Sequence, residues 1–144
     1  VVGGLTYSSS VTERDFALAR YKMDGTLDTA FDVDGKVRKA LSYSWDEITA
    51  MRVDSSGRIV TAGRRFWNAN WHFALVRFER DGYFDSAFGN QGKVYTLFYS
   101  GGNQIDAEAS ALALAPDGKI VVAGYSASGS IFGETPILLA RYEP

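Results

Sequence analysis

The apolar positions of this chain fall in short runs, such as Phe16 to Tyr21, Ile48 to Val53, Phe73 to Phe78 and Ile120 to Ala123, each bounded by Gly, Asp or Ser nearby. Runs of this length, rich in β-branched and aromatic residues and closed by turn formers, predict short strands. The runs also repeat. Asp15-Phe16-Ala17-Leu18-Ala19-Arg20-Tyr21 aligns with His72-Phe73-Ala74-Leu75-Val76-Arg77-Phe78, 57 residues later. The match continues from Asp24-Gly25 onto Asp81-Gly82, Asp28 onto Asp85, Ala30-Phe31 onto Ala87-Phe88, and Gly35-Lys36-Val37 onto Gly92-Lys93-Val94. A second block, Ile48 to Gly63, lies over Ala109 to Gly124 at a spacing of 61. The four extra residues fall between Tyr95 and Glu108, in a Gly-containing loop where insertion costs little.

Each unit of about sixty residues reads as four strands. Strand one covers Lys36 to Leu41 and Lys93 to Phe98; strand two, Ile48 to Val53 and Ser110 to Ala115. Strand three covers Arg58 to Ala62 and Lys119 to Ala123; strand four, Phe16 to Tyr21, Phe73 to Phe78 and Ile137 to Tyr142. Strands two and three are expected to pair as a hairpin through Asp54-Ser55-Ser56-Gly57 and Ala115-Pro116-Asp117-Gly118, each a type I turn followed by a left-handed Gly. Strands such as Ile120-Val121-Val122-Ala123 are apolar on both faces, so the sheets must stack.

Tandem four-stranded sheets predict an all-β, β-propeller-like array of two full blades plus part of a third; the competing architecture is an open stack or a β-sandwich. In this reading residues 1–22 end a partial unit, 23–80 form one full unit and 81–144 a second, within a single array over 1–144. Val1-Val2-Gly3-Gly4 closes a copy whose earlier part is missing. Because two and a half blades do not close a ring, the expectation is a fragment of a longer array, or several chains that complete one.

Composition narrows the function classes. A formal charge of −2 supplies no basic field for nucleic acid or an anionic membrane. There is no Cys, which excludes disulfides, thiol chemistry and Cys-ligated metals but does not fix the compartment. No apolar run is long enough to span a bilayer, so no membrane insertion is expected.

The run FALARYKMDGTLDTAFDVDGKV, followed after a loop by ALALAPDGKIVVAG, resembles the delta-60 repeat of bacterial proteins, over nearly the whole chain. The resemblance implies a propeller-like protein with many such repeats, extracellular or at the bacterial cell surface. It brings no established catalytic site. Phe31-Asp32-Val33-Asp34-Gly35 departs from the Phe-Gly start that Phe88-Gly89-Asn90-Gln91-Gly92 keeps.

The candidate chemistry is mostly structural. Asp24, Asp28, Asp32 and Asp34 could offer oxygens to calcium, but the second unit has Gly89 and Gln91 at two of these positions and the spacing is not that of an EF-hand. The favoured reading gives Asp24-Gly25 and Asp81-Gly82 to turns, with Asp28 and Asp85 capping a short helical turn that carries Leu27/Phe31 and Phe84/Phe88 into the core. Arg20, Arg77 and Arg141 recur in an apolar strand, and a buried Arg needs a partner. Asp28 and Asp85 each follow eight residues after such an Arg, so a structural Arg–Asp pair is expected per junction. His72, the sole histidine, is expected to be solvated in a loop. Asp46-Glu47 and Asp106 with Glu108 recur as loop acids, expected to be solvated too. Gly3-Gly4, Gly63 and Gly124 are read as strand ends with no phosphate-cradling role.

The non-repeated aromatics stand apart. Phe66-Trp67-Asn68-Ala69-Asn70-Trp71 is expected to fill the loop between strands three and four, where the other unit has Ser126 to Pro136. Tyr43-Ser44-Trp45 and Phe98-Tyr99 decorate other loops. Trp67, Trp71 and Trp45, flanked by Asn68 and Asn70, offer ring faces for sugars and amides for hydroxyls, or anchors for a protein; the competing role is packing between blades. The expectation is thus a non-enzymatic binding or scaffolding module with no catalytic residue, metal or cofactor. Its partners are a protein, a glycan or further repeats. The alternatives are a carbohydrate-binding module, a structural subunit that assembles through open strand edges, and a hydrolase needing residues from other blades.

Overall fold

The computed structural model describes residues 1–7, 14–41, 45–126 and 135–144; Tyr43 and Ser44, and Ile131 and Phe132 of the long loop before Pro136, lie outside the described residues. The repeat material is dealt into three antiparallel sheets of three, four and three strands. The first holds β1 (Val2–Tyr7), β2 (Arg14–Ala19) and β3 (Lys36–Lys39). The second holds β4 (Asp46–Val53), β5 (Ile59–Trp67), β6 (Asn70–Phe78) and β7 (Lys93–Thr96). A ribbon of β8 (Phe98–Ser100) and β9 (Asn103–Ile105) leads to the third sheet, made of β10 (Ala107–Leu114), β11 (Ile120–Ser126) and β12 (Ile137–Tyr142).

Strands two and three pair as hairpins, with Gly57 and Gly118 at φ +82° and +84° closing the turns. One feature of the strand order differs from the sequence units. The Gly-Lys-Val strand pairs backwards: β3 bonds to β2 and β7 to β6, so a sheet runs strand two, three, four and then one of the following unit. The physical reason is the compact corner between strands four and one. Arg77 N donates to Gly92 O (2.9 Å), Asp85 N to Arg77 O (3.0 Å) and Gly92 N to Phe88 O (2.7 Å), folding the chain back beside the strand it left. Arg20, Asp28, Phe31 and Gly35 make the same bonds in the first sheet. A period shows that a motif recurs but not where a sheet begins.

The sheets stack face to face. Phe16, Leu18, Phe31 and Val37 of the first meet Ile48, Ile59, Val76 and Phe78 of the second. On the far side of the second sheet, Val60, Phe73, Leu75 and Phe88 meet Ala107, Leu112, Ile120 and Val122 of the third. Phe16 and Phe73, repeat equivalents, are both fully buried and each faces the following sheet. β4 and β10 lie against each other, so the strand-two edges converge while β3 and β7 form the opposite edges. Stacked sheets that converge along one edge are the blades of a β-propeller.

Gly63 and Gly124 sit inside β5 and β11, not at strand ends. The reason is a β-bulge in the neighbouring strand, where the register slips between Ile48 and Ala50 and between Ala109 and Ala111. The bulge drives the Glu47 and Glu108 carbonyls onto the glycines, where a Cβ would overlap the oxygens. Gly63→Ala and Gly124→Ala should each lose about 3 kcal/mol of stability, measured by urea unfolding; a loss below half of that would show that the bulge relaxes freely.

Candidate functional site

The Arg and Asp residues eight apart meet. Arg77 Nε donates to Asp85 Oδ2 at 2.6 Å with both side chains almost wholly buried, and the guanidinium lies 4.5 Å from the Phe88 ring centroid. Arg20 Nε donates to Asp28 Oδ2 at 2.8 Å and stacks 4.8 Å from the Phe31 centroid. Asp28 Oδ1 and Asp85 Oδ1 accept from the amides of Ala30 and Ala87, so each carboxylate closes its own turn; that corner is a hydrogen-bonded turn and not a helix. The Ala30 amide, with Arg20, holds the Asp28 carboxyl below its ordinary pKa against a smaller opposing effect of burial. Arg20 also donates to the Arg80 carbonyl of the second sheet, while Asp32 N donates to Asp81 O at 2.7 Å. These corners clamp neighbouring sheets.

The other carboxylates of the first corner are similarly occupied. Asp24 Oδ1 takes the Thr26 amide and hydroxyl, Asp34 Oδ1 the Lys36 amide, and Asp32 lies 3.4 Å from Lys39 Nζ. Among the described residues no group of three or more His, Cys, Asp or Glu side chains is placed to hold a metal.

The aromatic segment is strand, not loop. β5 and β6 pair out to Trp67 opposite Asn70, leaving a two-residue turn of Asn68 (φ +49°) and Ala69 (φ +64°). Positive φ at both positions gives the primed turn that matches the twist of a hairpin. This register separates the two tryptophans. Phe66 opposes Trp71 on one face and Trp67 opposes Asn70 on the other, so Trp67 and Trp71 point to opposite sides of the sheet. The Asn70 amide donates to the Asn68 carbonyl and serves the turn, while Asn68 lies at the exposed tip.

Trp71 has Trp45 for company. Their centroids are 6.1 Å apart at 36°, and Phe66 meets Trp71 edge-on at 5.1 Å. Arg14 lies 5.2 Å from the Trp45 centroid and 5.5 Å from that of Tyr7. Trp45 remains 44% exposed and Tyr7 55%. On the opposite face Arg65 stacks 3.5 Å from the Tyr95 centroid and 5.2 Å from that of Trp67.

Beneath the Trp45–Trp71 rim lies a charge network that reading by loops missed. Arg64, 4.4 Å from the Trp71 centroid, bonds Glu47 at 2.9 Å in its own sheet and Glu108 at 2.5 Å in the next. Tyr125 OH donates to the second oxygen of Glu108 at 2.9 Å. Burial opposes the charge on Arg64, but the two glutamates outweigh it and raise its pKa. Glu47 and Glu108 are repeat equivalents, as are Arg64 and Tyr125, and that equivalence was the available signal. The recurring acids are therefore engaged at strand starts and not solvated. Asp46 is fully buried and accepts from the Leu41 amide at 2.6 Å, and Asp106 Oδ1 accepts from Trp71 N at 2.8 Å.

His72 likewise departs from expectation. It is buried on β6 opposite Arg65, because the strand extends past the predicted loop, and Gln104 Nε2 lies 2.7 Å from its Nε2. Burial, then the Arg65 charge, lowers its pKa below 6.5, with Asp106 opposing.

Residues 1–31, 55–88 and 115–144 match the family model for a domain of unknown function (DUF5122) beta-propeller. No curated protein matches the chain. The matched stretches hold the strand-three and strand-four segments and the Arg–Asp corners; the segment from Phe66 to Trp71 lies within the second stretch and Trp45 lies outside all three.

Two outcomes follow from the geometry. Arg77→Ala should destabilise by about 3 kcal/mol because it takes the hydrogen-bonded cation from a buried Asp85 and leaves only Arg58, 3.7 Å away, whereas Arg20→Ala, at a more exposed pair, should cost about 1 kcal/mol; chemical denaturation of both variants measures the contrast. A neutral, buried His72 stabilises fully above its unfolded pKa of about 6.5, and that contribution drains away as pH falls towards the lower folded value. Thermal unfolding of the wild type should weaken as pH falls below that point, and His72→Gln should lack this part of the slope.

Proposed function

We propose, because the chain belongs to the DUF5122 beta-propeller family, that it is a non-enzymatic binding module whose ligand lies on the Trp45–Trp71 rim. The observation that carries this reading is Trp45, 44% exposed, held between a tilted Trp71 and the Arg14 guanidinium over its ring. A rigid aromatic face loses little entropy on binding, and its apolar plane suits the C–H face of a sugar ring. Tyr7 and Arg14 beside it supply hydroxyl and guanidinium groups for sugar hydroxyls. A glycan is therefore the proposed ligand class. The acids below the rim are held by Arg64 or by backbone amides, which favours binding over acid–base chemistry at this place. The delta-60 resemblance supports placing the module in a bacterial repeat protein, secreted or at the cell surface.

Screening the chain against a broad glycan array, followed by calorimetric titration of any hit, tests this. Trp45→Ala should weaken binding at least about tenfold, the worth of one aromatic stacking contact, and Trp67→Ala, on the other face, should leave it unchanged. Silence across the array, or loss with Trp67→Ala alone, would overturn the rim assignment.

A further inference from the structure

The two junctions between sheets carry the same rim positions, filled in different ways. Tyr7, Arg14 and Trp45 are the repeat equivalents of Arg64, Trp71 and Asp106. Both junctions set an arginine against an aromatic ring, with the two exchanged between strands: Arg64 lies over Trp71, and Arg14 over Tyr7 and Trp45. The difference lies in the acids. At the second junction Arg64 is bonded by Glu47 and Glu108, and Asp106 accepts from the Trp71 amide. At the first junction Trp45 stands where that aspartate would be. Of the described acids beside Arg14 and Trp45 in sequence, Asp15 bonds Arg38 at 2.6 Å, Asp46 accepts from the Leu41 amide, and Glu47 bonds Arg64. Among the described residues the Arg14 guanidinium makes no ion pair and no hydrogen bond. β2 is the central strand of its sheet, and Arg14, bridged to Trp45 through the backbone, faces the second sheet. This place therefore lies within a junction whose two sheets both belong to the chain, and not on an outer face of the stack.

We propose that the glycan bound at the Trp45–Trp71 rim is an acidic one, whose sugar carboxylate pairs with Arg14. This rests on the glycan reading of the rim and adds the charge of the ligand to it. A guanidinium stacked on a ring keeps its N–H donors, which lie in its own plane, for an acceptor. Two parallel N–H groups match the two oxygens of a carboxylate, and that pairing is stronger and more selective than one with neutral hydroxyls. Arg14 is half-buried beside its two rings, where water competes less for the pair. The oxygens that Glu47 and Glu108 give to Arg64 at the second junction would come to Arg14 from the ligand. The sugar ring would lie against the exposed part of Trp45, with its carboxylate towards Arg14. Uronic acids carry both parts in one ring.

Calorimetric titration of the purified chain with paired oligosaccharides tests this. Tetragalacturonate and the hyaluronan tetrasaccharide are each compared with their methyl esters, which keep the rings and remove the charge. Cellotetraose is the neutral reference, and a sulfated galactan tetrasaccharide is the alternative anion. At least one free acid should bind about tenfold or more tighter than its ester, the worth of a charge-assisted hydrogen bond, and added salt should shrink the preference. Arg14→Gln should bind acid and ester alike. Arg14→Lys, which keeps the charge without the paired donors, should retain part of the preference; an unfolding curve checks that both variants fold. An ester or cellotetraose bound as tightly as the acids, array hits confined to neutral glycans, or a preference that survives in Arg14→Gln would overturn the acidic assignment and leave the glycan reading standing. A preference for the sulfated galactan over both uronates would overturn the carboxylate. Silence towards every probe and across the wider array would overturn the glycan reading, and this inference with it.

Discussion

The middle sheet is apolar on both faces, and such a sheet is stable in water only when a neighbour covers each of them. The second sheet shows the condition met: Ile59 and Val76 are sealed by the first sheet, Val60 and Leu75 by the third. Stability is therefore a property of the stack and not of any unit, as in other arrays where each repeat relies on its nearest neighbours. The bulges at the convergent edge serve the same end. They bring Glu47 and Glu108 to the rim while Ile48 and Ala109 stay inside, at the cost of requiring glycine on the adjoining strand.

Charged groups stand at the margins of these interfaces, while the buried Thr61 is satisfied by the Val76 carbonyl of its own sheet. At the corners an arginine is satisfied by an aspartate, an aromatic face and, at the first junction, a carbonyl of the next sheet. Near the rim Arg64 performs a similar office between two glutamates. Burying such groups costs desolvation, which good geometry offsets. They contribute less to the strength of the stack than to fixing how far one sheet may slide over the next.

Much of this was legible in the sequence because a strand, a turn and a repeat each leave a local mark. The alternation around Phe16 and Phe73, the Asp-Gly turns and the recurring Arg–Asp spacing all depend on neighbours within a few residues. What was hidden depends on pairing. The backward pairing of β3 and β7 has no periodic signature, and the bulge that requires Gly63 is visible only opposite Gly63. The aromatic segment is the sharpest case. A two-residue turn at Asn68-Ala69 turns a supposed loop into strand, and strand parity then sends Trp67 and Trp71 to opposite faces. The same extension buries His72. Trp45, an isolated tryptophan in the sequence, becomes the partner of Trp71 only once β4 is laid beside β5.

Arg64 and Tyr125 stand at equivalent places, yet they are not interchangeable. The arginine reaches both its own glutamate and the following one, while the tyrosine offers one hydroxyl to a glutamate the arginine already holds. If a tyrosine unit were moved into the earlier slot, Glu47 would lose its cation and Glu108 half its restraint. Tandem genes lengthen most cheaply by copying and shuffling their units. In this molecule a shuffled order would leave charges unbalanced along the convergent edge, so the units carry an address as well as a shape.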